Sequence, residues 1–262
     1  MNLLIRDFQR PPRLVVLLIL LCLGAPFAVA QSVPDGNTLL ARIDEIRFPE
    51  DFTMQVTLTT VTQGEDPKVM SMEVTHKKGL GSFLQILSPP RSRGTRMLTE
   101  TGSLWLYNPH SGSNRPLRLA PRDSFQGSAF SNSDVSRTSF LDDYRGVFEK
   151  AEVIDHPEFG KVKVWQLRAI AKRPEAAYGW IEMWVRQGDL LPLKFDYYAK
   201  SGLLYRKMVL SHYKEMAGRL RATEMQMVSL DQTGTTSTLV IHSMKVRQDI
   251  PDELFNLNAL TR

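Results

Sequence analysis

The sequence predicts a mainly β protein with a few helices, of α+β class, built on one large, strongly curved antiparallel sheet. Three observations carry that reading. About a dozen segments alternate apolar and polar residues with period two, and most are joined by short turns bearing glycine. Two of these segments, Leu104-Trp105-Leu106-Tyr107 and Trp180 to Val185, are apolar on both faces, whereas a half-solvated strand has one polar face. A polar stretch from Asp123 to Tyr144, with isolated phenylalanines, interrupts the strand rhythm and reads as a cover. A sheet of so many strands curls on itself, and its concave face has to be filled.

Residues 1–30 read as a secretory signal. Arg6, Arg10 and Arg13 form the basic start, Leu14 to Leu23 the apolar run, and Ala28-Val29-Ala30 the small-x-small exit. Ten apolar residues make roughly 15 Å of helix against a hydrocarbon layer of about 30 Å, so the run is too short for a permanent span. Cleavage is expected after Ala30, with residues 31–262 forming one domain outside the cytoplasm and no transmembrane span afterwards. The only cysteine, Cys22, leaves with the signal, so the mature chain has neither disulfide nor thiol nucleophile and relies on its core. Bulky residues before Cys22 argue against lipidation there.

Losing three arginines and Asp7 lowers the formal charge from +5 to +3. The remaining basic residues alternate with acids, which excludes the concentrated footprint of a nucleic-acid binder. The cluster Arg91, Arg93 and Arg96 reads as a solvated turn beside Pro89-Pro90 or as a site for an anionic headgroup.

In the mature chain, Leu39, Leu40, Ile43 and Ile46 recur at helical spacing before Pro49, predicting an amphipathic helix over Thr38 to Ile46. From Thr53 the period becomes two, with Met54, Val56 and Leu58 on one face of a strand and Met70, Met72 and Val74 on one face of the next. Further strands are predicted at Val147 to Asp155, Lys161 to Ile170, Tyr178 to Arg186, Leu193 to Ala199, Leu203 to Met216, Arg219 to Leu230 and Thr235 to Val246. In the interruption, Ser131, Asn132 and Ser133 are helix-capping residues and Asp134 to Asp143 is assigned about two helical turns. Phe125, Phe130 and Phe140 are its expected inward anchors, each worth a few kcal/mol when buried.

Ten methionines follow the initiator, all within or at the end of predicted strands. They suit either plain core filling or a cavity for flexible acyl chains. The candidate cavity residues are Met54, Val56, Leu58, Met70, Met72, Val74, Trp105, Tyr107, Trp180 and Trp184, with Trp105 and Tyr107 expected to look inward. No catalytic residue is assigned: there is no nucleophile elbow, zinc-protease helix or phosphate-cradling loop, and the five histidines are dispersed. No metal or cofactor is called for, and an enzyme is not expected.

With these residues in place, the chain resembles the periplasmic lipoprotein carriers of the outer-membrane lipoprotein-sorting superfamily. The resemblance runs through Phe52-Thr53-Met54-Gln55, Leu87-Ser88-Pro89-Pro90 with Arg93-Gly94, and Gly102 to Pro109. It continues through Gly127-Ser128-Ala129-Phe130-Ser131, Trp180 to Val185 before Pro192-Leu193-Lys194, and Ile250-Pro251-Asp252-Glu253-Leu254-Phe255. It implies an incomplete barrel whose helices cover a hydrophobic cavity for lipoprotein acyl chains or other envelope lipids. It also implies an inner-membrane exporter and an outer-membrane acceptor as partners, and an arginine that holds the lid shut, a role left open among Arg91, Arg93 and Arg96. The competing readings are a non-carrier accessory protein of an envelope exporter, with a cavity filled by its own side chains, and, more remotely, a lipid hydrolase.

Overall fold

A computed structural model describes residues 35–100, 102–136, 139–231 and 234–262. The leader and its cleavage position lie outside the described residues. The first element is helix α1, Gly36–Arg47, capped by Asp35, whose carboxylate accepts from the backbone amides of Asn37 at 3.1 Å and Thr38 at 3.0 Å. The four apolar residues at helical spacing, Leu39, Leu40, Ile43 and Ile46, are its buried face.

Six strands follow: β1 Phe52–Thr62, β2 Lys68–Lys77, β3 Gly81–Ser88, β4 Arg96–Glu100, β5 Ser103–Tyr107 and β6 Leu117–Leu119. After a short helix α2, Asn132–Ser136, come β7 Tyr144–His156, β8 Gly160–Ala171, β9 Trp180–Arg186, β10 Pro192–Tyr198, β11 Leu204–Met216, β12 Arg219–Ser229 and β13 Thr235–Val246. The predicted meander is therefore present, with bounds close to those read from the alternation. All thirteen strands pair antiparallel in one sheet, ordered β6-β5-β4-β3-β2-β1-β13-β12-β11-β10-β9-β8-β7. Pairing of β1 with β13 joins two meanders into a single surface, and because β6 and β7 remain edges the sheet is an incomplete barrel.

Helix α1 lies against β7 at a contact that only glycine permits. A Cβ on Gly146 would stand 2.0 Å from the Gly36 carbonyl oxygen, and the Gly146 amide donates to the Asn37 side chain at 2.8 Å. At the other end of the helix Arg221 of β12 donates to the Glu45 carbonyl at 3.3 Å and to that of Ile46, satisfying oxygens that α1 leaves unpaired.

The chain closes with a 3-10 turn, Asp252–Phe255, and helix α3, Leu257–Thr261. Ile250, Phe255 and Leu260 pack on Phe83 and Leu98, and Trp105 and Tyr107 join that cluster. The second apolar face of β5 is thus covered by the C-terminal segment. Lys77 fixes this segment by donating to the Ile250 carbonyl at 2.7 Å and to Asp252 at 2.6 Å.

Candidate functional site

The inward faces of the strands form one apolar surface. Met54, Val56 and Leu58 of β1 stand opposite Val74, Met72 and Met70 of β2, and Leu239 and Ile241 of β13 continue the row. Phe125 and Phe130 are 1 % and 2 % exposed, and with the partly buried Phe140 they pack into this same core. Between sheet and cover lies a cavity lined by Met54, Val56, Met72, Val74 and Leu84 on one wall and by Phe130, Val135 and Phe140 on the other. Four methionines, Met54, Met72, Met208 and Met225, line it. Its free volume is about 60 Å³. That is less than the roughly 150 Å³ that admits benzene, so an acyl chain needs the walls to separate.

The cover differs from the expected two-turn helix at Asp134 to Asp143. Residues 124–131 form a small hairpin, with a bridge between Ser124 and Ser131 and a hydrogen bond from the Phe125 amide to the Phe130 carbonyl at 2.8 Å. Gln126 and Gly127 turn it through positive φ of 51° and 76°. Ser131 and Asp134 then cap each other reciprocally, at 2.7 and 3.1 Å, and start α2 two residues before the expected position. The five-residue helix ends at Ser136, and Phe140 to Asp143 make a turn into β7.

Among the polar contacts that hold the cover, three groups reach it from β13, from the Tyr178–Arg206 pair and from α1. The Ala129 amide donates to Ser237 Oγ of β13 at 2.9 Å. Tyr178 donates its hydroxyl hydrogen to Asp134 Oδ2 at 2.6 Å, and Arg206 Nη1 donates to the Tyr178 oxygen at 3.0 Å while standing 3.7 Å from Asp134. Burial pushes the Tyr178 hydroxyl well above the usual tyrosine range, so it stays a donor. Burial works against the Arg206 charge, but Tyr178 and Asp134 outweigh it and leave its pKa above the ordinary arginine value. The third fastening is Asp44 of α1, which accepts from the Phe140 and Leu141 amides at 2.8 and 3.1 Å and from Ser139 Oγ at 2.9 Å. Burial raises the Asp44 carboxyl pKa against the opposing pull of Arg47 and these donors. Arg47 also lies over the Phe140 ring, 4.3 Å from its centroid.

Arg206 and Arg47, neither among the three arginines considered for a lid contact, approach cover residues. Arg93 donates to the Leu87 carbonyl, Arg96 donates to the Leu260 carbonyl near the C-terminus, and Arg91 lines an open groove that Gln126 and Ser128 of the cover also border. Arg206, 1 % exposed, reaches the cover through Tyr178. The signal was parity: Arg206 shares a strand face with Met208 and Leu210, an inward face.

Six residues of the candidate cavity set stand elsewhere. Leu58 and Met70 continue the inward row past the cover into an open groove of about 560 Å³, bordered by Gln126 and Ser128. Trp105 and Tyr107 face outward under the C-terminal segment, and it is Leu106 that packs on the main core. Trp180 stacks on Tyr198 with centroids 4.7 Å apart, and Trp184 packs with Leu191 and Leu193 while its indole donates to Glu152 at 2.7 Å. On β9 it is Ile181 that reaches the cavity. These aromatic residues were placed by apolarity alone, but a strand covered on both sides does not mark its concave face.

Among the described residues no group of three or more His, Cys, Asp or Glu could hold a metal ion, and no helix is long and apolar enough to cross a membrane.

Comparison with solved structures gives the fold a relative. A LolA superfamily protein from Nitrosomonas europaea superposes with a TM-score of 0.78 at 26 % identity, over 87 % of this chain and all of that one. A protein-family model whose description reads "Uncharacterized protein" matches residues 80–262. The chain belongs to that family, with the LolA superfamily fold. The LolA fold is also shared at 21 % identity by a DUF1329 family protein from Desulfovibrio piger, with a TM-score of 0.72 over 86 % of this chain and 97 % of that one. A structure described as an outer membrane lipoprotein-sorting protein domain, from Vibrio parahaemolyticus, gives 0.73 at 21 % identity over 87 % of this chain and 98 % of that one. No curated protein sequence matches the chain.

Proposed function

We propose that this LolA superfamily chain is a carrier that takes acyl chains of lipoproteins or other envelope lipids into the methionine-lined cavity and shields them from water. The leader supports a periplasmic location for it, with cleavage after Ala30 and residues 31–262 acting as one unit. The observation that carries the reading is the pairing of a continuous apolar wall, Met54 to Leu58 against Val74 to Met70, with a separate cover held over it by a few polar contacts. Each methylene moved out of water contributes about 0.8 kcal/mol, so one acyl chain supplies ample affinity and release is the harder step. Methionine side chains adapt to whatever chain enters. An inner-membrane exporter and an outer-membrane acceptor would stand on either side of such a carrier.

Titration with a fluorescent fatty acid tests this. The protein is expected to bind it with saturation, and Phe130→Asp to weaken binding at least tenfold, because a charge replaces an anchor that is 2 % exposed. Failure of the unaltered protein to bind contradicts the reading. The small free volume favours a second reading, an accessory protein of an envelope exporter whose cavity is filled by its own side chains. That protein would ignore the fatty acid and crosslink to a membrane protein in cells.

A further inference from the structure

Six of the eleven large apolar side chains exposed among the described residues, Val61, Val69, Leu87, Leu203, Val228 and Leu230, lie at one end of the sheet. They form a band along adjacent strand ends. Val69 pairs with Thr59, Val61 with Thr236, and Thr236 in turn with Val228, while the Leu230 amide donates to Tyr205 two residues beyond Leu203. Leu80, Val153, Leu220 and Val246 are scattered at the opposite end, and Leu117 lies on the edge strand β6.

On their inner side the same strand ends turn polar, with Thr60 Oγ1 2.9 Å from Ser237 Oγ, and one step deeper Leu58 and Met70 line the open groove, whose rim carries Glu65, Asp66, Lys68 and Arg91. An aliphatic band exposed on the outer face of adjacent strand ends suits an apolar medium better than water. Its charged surroundings have a sign. Lys68, Arg91, Arg93, Lys200 and Lys207 are exposed beside the band, against Glu65, Asp66 and Asp231. Lys68 and Glu65 pair with each other, which leaves Arg91, Arg93, Lys200 and Lys207 against Asp66 and Asp231, a net charge of +2.

We propose that this end of the sheet docks on an anionic lipid bilayer, with the aliphatic band at the headgroup boundary and the groove opening toward the acyl region. The proposal rests on the carrier reading. In this orientation a chain leaving the bilayer passes the groove rim to Leu58 and Met70 and then reaches Val56 and Met72. Aliphatic contacts with flanking cations are the combination that holds peripheral proteins on anionic membranes.

Flotation of the purified full chain with vesicles of phosphatidylethanolamine and phosphatidylglycerol tests it. Binding is expected to fall at least tenfold in a Leu203→Asp/Leu230→Asp variant and to weaken in high salt, while Leu220→Asp at the far end leaves it unchanged. All three substitutions are at exposed sites, and unchanged thermal melts and fluorescent fatty-acid binding show that the fold and cavity persist. An unaltered protein that binds the fatty acid but does not float overturns the docking proposal alone. The same holds if the double variant floats equally well, or if the band crosslinks to a protein while vesicles are ignored. A protein that floats but takes up no fatty acid contradicts the carrier reading instead.

Discussion

Arg206 and Tyr178 form a buried pair 3.0 Å apart, and through the Tyr178 hydroxyl the guanidinium of β11 is tied to Asp134 at the start of the cover helix. The cation is fully enclosed, so its partners have to be present for the cover to seat.

Tyr178→Phe removes the relay and leaves Asp134 and Arg206 with only their 3.7 Å approach. The expected cost is about 1–3 kcal/mol, felt locally at the cover. Hydrogen exchange is expected to quicken in amides 129–136 while strands β1 and β13 keep their protection, and fatty-acid uptake is expected to accelerate. Unchanged exchange in the cover would show that the relay does not fasten it.

Asp44 makes the α1 fastening depend on pH. Its folded pKa stands above 3.8, with burial the leading cause, so the folded state binds the proton more tightly than the unfolded chain. The stability this gives is complete below 3.8 and is lost as pH rises through the folded value. Denaturant unfolding across that range is expected to show the unaltered protein losing stability relative to Asp44→Asn with rising pH, then running parallel to it. A difference that grows with pH would mean that Arg47 and the lid donors outweigh burial.

Gly146→Ala forces a methyl group into the Gly36 backbone, where neither partner is a flexible side chain. Overpacking of this kind costs about 1–3 kcal/mol, and a lowered melting temperature is expected. A neutral substitution would mean that α1 can shift on β7 freely.

Trp105→Ala separates the two faces of β5. It is expected to cost about 1–3 kcal/mol of stability through the C-terminal cluster with Phe255 and Leu260, without changing fatty-acid affinity. Met72→Asp on the inward face is expected to abolish binding. Equal loss of affinity in both variants would put Trp105 at the cavity after all.

Strand alternation made the sheet legible from sequence because most strands after the interruption, β9 excepted, have a polar outer face, and most are joined by glycine-bearing turns. Helix α1 was legible for the same local reason. What local pattern does not carry is pairing between distant segments. Nothing in Leu104 to Tyr107 says that residues 250–260 will cover one of its faces, so the inward side was assigned to the bulkier aromatics. The cover was located by its loss of strand propensity and its buried phenylalanines, but its helix was displaced, since the mutual capping of Ser131 and Asp134 fixes the start and Asp44 draws residues 139–141 into a turn. Arg206 was not singled out in the sequence, although its parity with Met208 and Leu210 points inward.

The most direct measurement is native mass spectrometry of the protein purified from the bacterial envelope without detergent. The account predicts adducts with the masses of acylated lipids or lipoprotein fragments, lost from Phe130→Asp. Adduct-free protein that also fails to bind added fatty acid would contradict it.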